Sequence, residues 1–201
     1  MLIALALHVA LAFQDPVPID AAVVRKAVAE AAAIWTKYGV VLDGEDTCGR
    51  SAVETLRLTI GVAATALPGR APVVLGTIVF GPDGAPEPRI TLFLNEVLRF
   101  VAVARVLGAD ERRWPRLLRE EVMGRILGRV LAHEIGHYVL GDPRHTFAGL
   151  MRSIQRSDEL AEPSRAGFTL STDQAAQLRA RSVAVSGLVG TRERAGTCGR
   201  P

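Results

Sequence analysis

Three histidines fall within one thirteen-residue window, His133-Glu134-Ile135-Gly136-His137-Tyr138-Val139-Leu140-Gly141-Asp142-Pro143-Arg144-His145, while the fourth, His8, lies near the N-terminus. No other feature restricts the fold as much. Residues four apart on an α-helix stand one turn above each other on the same face, so His133 and His137 can offer two nitrogens to one ion. Glu134, the next residue along, points elsewhere and can act on a metal-bound water without occupying a coordination position. A continuous helix would carry residue 145 ~12 Å beyond His137 along its axis, so His145 reaches the same ion only if the chain turns. Gly141 can take the left-handed conformation that terminates a helix, and Pro143 cannot continue one. Three neutral imidazoles and a water make the open tetrahedral site of catalytic zinc, whereas structural zinc usually has four protein ligands.

At this point the chain resembles the metzincin metallopeptidases, whose signature is His-Glu-x-x-His-x-x-Gly-x-x-His followed by a methionine-containing turn. The order here is the same, with Met151 following in Ala148-Gly149-Leu150-Met151. Gly141 comes one residue later than the pattern and His145 two later, so the helix end or the turn must differ in detail. The resemblance implies a zinc-dependent endopeptidase acting on a peptide or protein laid along an edge strand. Its ligands would be His133, His137 and His145, its general base Glu134, and Met151 would lie beneath the Zn2+. The implied fold is α+β, with a small mixed sheet, a long active-site helix, a C-terminal helix, and zinc in a cleft between two lobes. Two other readings stay open. A gluzincin-type peptidase would take its third ligand from a downstream carboxylate, Glu159 or Glu162. A non-catalytic secreted binding protein would use zinc only for stability.

Composition limits the remaining possibilities. A chain of 201 residues suits one domain and is long enough to bury a real core. Residues 1–98 carry a net charge of −3 and residues 99–201 a net charge of +6, with 22 arginines against 2 lysines. These basic residues are dispersed among acids without interleaved aromatics, which argues against nucleic-acid binding.

Leu2 to Phe13 is an almost unbroken apolar run, and Ala10-Leu11-Ala12 fits a small-x-small cleavage rule. The run is too short to span a bilayer, which takes roughly 20 residues. It reads as a signal peptide over residues 1–12 and export of a single domain over 13–201, with an upper lobe over about 20–140 and a lower one over about 141–201. The n-region has no Lys or Arg, so a buried N-terminal strand is the competing interpretation. Cys48 and Cys198 both stand in a Thr-Cys-Gly-Arg context, and an even cysteine count in an exported chain suggests a disulfide. Two unrelated thiols are the alternative.

Elsewhere the pattern gives coarse elements. Asp20 can cap a helix over Ala21–Tyr38 that Gly39 ends, and residues 40–52 read as an irregular connection. Leu56–Ile60, Val73–Phe80 and Arg89–Leu94 read as strands, the last being either the sheet edge or part of an interior hairpin. A helix follows from Asn95 to Gly108. Pro115 then opens a long helix to about Leu140, on which Val122, Ile126 and Val130 share the face of His133. Gly124, Gly128 and Gly136 interrupt its propensity, which predicts close approach of a neighbouring element there. Ser171 or Thr172 can cap a last helix near Asp173–Val183.

Overall fold

The computed structural model describes residues 6–14, 19–44, 55–65, 73–153 and 156–189. In chain order these form β1 (Leu7–Phe13), α1 (Ala21–Trp35), β2 (Val40–Gly44), β3 (Thr55–Ala63), β4 (Gly76–Phe80), β5 (Pro86–Phe93), α2 (Leu94–Val103), α3 (Arg116–Leu140), α4 (Ser157–Ala161) and α5 (Thr172–Val189). The strands build one mixed sheet in the order β2-β1-β3-β5-β4. All neighbours are parallel except β4, which runs antiparallel to β5 at one edge.

The sheet starts with a β-α-β unit. Along β1, Leu7, Val9 and Leu11 are buried while His8 and Ala10 between them are only half-buried, the period-two pattern of a strand. Asp20 caps α1 through the Ala22 N–H at 2.7 Å. Gly39, at φ +76, reverses the chain into β2. Because β1 and β2 are parallel, the connection between them has to cross over, and α1 is that crossover.

The helix α3, which carries His133 and His137, packs against α1 at very short range. A Cβ on Gly124 would lie 2.5 Å from the Lys26 Cβ, and one on Gly128 would lie 2.5 Å from the Ala27 carbonyl oxygen. The close approach expected at these glycines is therefore present, with α1 as the neighbour. Val122, Ile126 and Val130 are buried as expected. The Trp35 indole N–H also donates to the Ala132 carbonyl oxygen at 3.1 Å, fixing α3 immediately before His133.

Several expectations need correction. The expected mixed sheet and long helix are present, but the described residues form five strands where the sequence marked three, in a mixed α/β architecture. Residues 40–44, expected to be irregular, form β2, and Val40 is buried at its start. Residues 89–93 belong to β5, and Leu94 opens α2; β5 lies between β3 and β4, so of its hairpin with β4 it is β4 that forms an edge of the sheet. The helix expected to run to Gly108 ends at Val103, and a tight turn bridged by Val106 and Ala109 follows. Residues 7–13 of the apolar N-terminal run form β1, which pairs with β2 on one side and β3 on the other. Cys48 and Cys198, with their suggested bridge, lie outside the described residues. Among those described, no helix is long and apolar enough to cross a membrane.

Candidate metal centre

His133 and His137 occupy the last turns of α3. The His133 Nδ1 donates to the Leu150 carbonyl oxygen at 2.8 Å, and the His137 Nδ1 donates to the Asp142 carbonyl oxygen at 2.7 Å. A carbonyl only accepts, so both neutral rings carry their proton on Nδ1 and leave a lone pair on Nε2. Those lone pairs converge: the His137 Nε2 lies 3.2 Å from the His133 Nε2 and 3.3 Å from the His145 Nε2. Two nitrogens bound at 2.0–2.1 Å to one tetrahedral ion stand ~3.3 Å apart. The three imidazoles thus have the spacing and chemistry of a zinc ligand set. Burial pushes the His133 imidazole down to about 3, helped by His137 and opposed by the Leu150 carbonyl, and burial also lowers His137 and His145. Without a metal all three rings are accordingly neutral at neutral pH, the form that ligates.

The turn to His145 begins at Gly141. At φ +63 it is left-handed and ends α3, its N–H reaching the Tyr138 carbonyl oxygen at 3.2 Å while the Asp142 N–H reaches that of His137 at 3.3 Å. This is the Schellman pattern for a helix C-terminus. The middle of α5 completes it, because Gln177 and Arg181 donate to the Leu140 carbonyl oxygen at 2.9 and 3.2 Å. Beyond Gly141, the Asp142 carboxylate accepts from the Arg144 backbone N–H at 2.9 Å and from its guanidinium at 2.8 to 3.1 Å.

Met151 packs against α3 from the other side. A Cβ on Gly136 would lie 2.3 Å from the Met151 Sδ, so only glycine leaves room for that sulfur next to His137. The preceding residue, Leu150, supplies the carbonyl that orients His133, and its own N–H is held by the Thr169 carbonyl oxygen at 2.8 Å. Gly149, at φ +83, makes the approach to Thr169 possible.

Glu134 faces a cleft of about 600 Å³ between α3 and β4, whose walls include Leu75, Gly76, Ile78, Val130 and all three histidines. Its carboxylate has no hydrogen-bond partner among the described residues, and burial pushes its pKa up to about 8. Gly76 was not singled out by the sequence, although it matters here: a Cβ there would sit 2.9 Å from the Val130 Cγ1 and 3.2 Å from the Glu134 Oε1. No pattern in the sequence marks it, since the contact is between residues 58 positions apart. Phe80, from the same strand, stands edge-on to the His137 ring with centroids 6.4 Å apart. Across the β4–β5 pair the Phe93 N–H donates to the Leu75 carbonyl oxygen at 2.9 Å. Hydrogen-bonded and non-bonded pairs alternate in an antiparallel ladder, so Gly76 and Ile78 turn their backbone groups away from β5, along the open edge.

The two carboxylates considered as alternative ligands stand elsewhere. Glu159 is paired with Arg152, and Glu162 is exposed on the surface after α4. Among the described residues, His133, His137 and His145 are the group whose atoms lie close enough to hold a metal. Tyr138, the residue after His137, does not line the cleft; its ring packs against the core.

Fold and site together define a mixed α/β protein with three imidazoles, gathered at the end of its longest helix, that could hold a metal ion. No family profile and no curated protein sequence matches the chain. Among solved structures, the fold is similar to that of a zinc-dependent peptidase from Methanocorpusculum labreanum, with a TM-score of 0.51 and 13% sequence identity over 85% of this chain and 99% of the other.

Proposed function

We propose that this protein is a zinc-dependent endopeptidase. The observation that carries the reading is the convergence of three Nε2 atoms next to a buried carboxylate that has no hydrogen-bond partner among the described residues, at the floor of a cleft flanked by an open strand edge. The likeness of fold to a zinc-dependent peptidase supports it. His133, His137 and His145 would hold the ion, which when bound supplies a Lewis acid and lowers the pKa of coordinated water. Glu134, raised above the ordinary carboxylate range, is suited to take up a proton at its carboxylate and deliver it to the leaving amine. The outward backbone groups of Gly76 and Ile78 would orient an extended peptide as an added strand. Apolar walls from Leu75 and Val130 limit the water that reaches Glu134. Met151 and Gly141 serve the site by shaping the helix end.

A purely structural zinc site gives no reason to bury, beside the ligands, a glutamate without a hydrogen-bond partner among the described residues, because that burial costs stability. The test is metal analysis of the wild type and Glu134→Gln, each incubated with a diverse peptide library. Equal zinc in both, with cleavage reduced on the order of 10²–10⁴-fold in the variant, is the expected outcome. Undiminished cleavage by the variant would remove Glu134 from the chemistry. A zinc-loaded wild type that hydrolyses no peptide would overturn the reading.

A further inference from the structure

The spacing from His137 to His145 is two residues longer than in the family this site resembles, and a longer connection orders its far ligand less well unless something shortens its freedom. The other two ligands are each fixed by a carbonyl on Nδ1, at Leu150 and Asp142. His145 has no such bond among the described residues, and it is exposed. Its position therefore rests on the backbone that leads to it.

That backbone is clasped by one side chain. The Asp142 carboxylate takes the Arg144 N–H at 2.9 Å, closing a turn over Pro143, and the Arg144 guanidinium folds back onto the same carboxylate through Nε at 2.9 and 3.1 Å and a terminal nitrogen at 2.8 Å. The proline ring fixes φ at the middle residue. The Asp142 main-chain carbonyl meanwhile holds His137 at 2.7 Å. One residue thus sets the tautomer of the second ligand with its carbonyl and the path to the third with its carboxylate.

We infer that Asp142, clasped to Arg144 across Pro143, is a positioning residue that brings His145 to the metal and so compensates for the lengthened spacing. This rests on the zinc-site reading above. Loss of an outer partner of a metal ligand commonly lowers affinity 10–100-fold, and the same range is expected for Asp142→Ala. Asp142→Asn retains an acceptor for the Arg144 N–H and loses the ion pair, so it should fall between that variant and the wild type. The contribution comes from order in the turn, since the Arg144 side chain is 84% exposed and an ion pair so placed is weak.

The experiment is zinc affinity by competition with a chromophoric chelator, for the wild type, Asp142→Ala, Asp142→Asn, His145→Ala and the double variant Asp142→Ala/His145→Ala. Cobalt-substituted protein supplies an independent reading, because its visible absorption reports the coordination geometry. The expected result is a 10–100-fold loss in Asp142→Ala with a cobalt spectrum moving toward that of His145→Ala, and no further loss when the two changes are combined. Far-ultraviolet circular dichroism of the metal-free proteins checks that folding is retained. Wild-type affinity in Asp142→Ala, or full additivity in the double variant, overturns the inference while leaving the peptidase reading intact. Absence of zinc binding by the wild type removes both.

Discussion

At the scale of single residues, the site depends on where side chains are missing as much as on the ligands. Gly76 leaves the space that the Glu134 carboxylate occupies, and an alanine there would bring its Cβ to 3.1 Å from the Glu134 Cγ and 2.9 Å from the Val130 Cγ1. The glutamate is the more mobile neighbour because it faces the cleft. We expect Gly76→Ala to keep its zinc and to lose activity on the order of 10²-fold, as small displacements of reacting groups do. Steady-state kinetics alongside metal analysis reads this directly. Unchanged kcat would mean that Glu134 tolerates the shift or takes no part in turnover. Gly136 plays the matching part on the opposite side, giving the Met151 sulfur its place under α3.

At the scale of elements, β1 has the largest consequence. It pairs in parallel with β2 through Leu7–Leu11 and with β3 through His8–Phe13, and Val9 and Leu11 are buried between the layers. Removing it separates β2 from the rest of the sheet. A chain starting at Gln14 is therefore expected to lose cooperative unfolding and near-ultraviolet circular dichroism. A truncated protein that folded and bound zinc would show β1 to be dispensable and would favour the leader reading of the apolar N-terminus. The edge strand β4 terminates the sheet beside the cleft, and among the described residues no further strand pairs with its outer side.

At the scale of the whole molecule, one buried cation joins the parts that carry the site. Arg129, one turn before His133 on α3, is fully buried and donates to the Glu30 carboxylate of α1 at 2.9 Å, to the carbonyls of Glu159 and Leu160 at 2.6 and 3.2 Å, and to that of Ser164 at 2.8 Å. Its guanidinium also lies over the Phe168 ring at 4.2 Å. Glu30 accepts from Arg165 as well, at 2.6 Å. Breaking a buried pair while its partners remain buried costs roughly 3–5 kcal/mol. Arg129→Met should show a loss of that order in urea denaturation, with an unchanged m-value. A loss below about 1 kcal/mol would mean that the segment over 159–168 is held mainly by its apolar residues, Leu160 and Phe168.

Local chemistry was legible in the sequence. Histidines four apart require a helix to cooperate, a glycine and a proline after them require that helix to stop, and alternating or helical apolar spacing marks β3, β5, α1 and α3, because each of these signals acts between residues close along the chain. The three glycines of α3 announced a close neighbour for the same reason. Partners distant in sequence were not legible. Nothing local distinguishes an edge from the interior for β5, or a connection from the short strand β2, since pairing decides each. Gly76 opposite Glu134, and Arg129 holding segments 30 to 99 residues away, became visible only in the fold. The sequence specified which groups could bind a cation, and tertiary packing decided that three of them meet, because convergence depends on where a turn and a sheet edge place them in space.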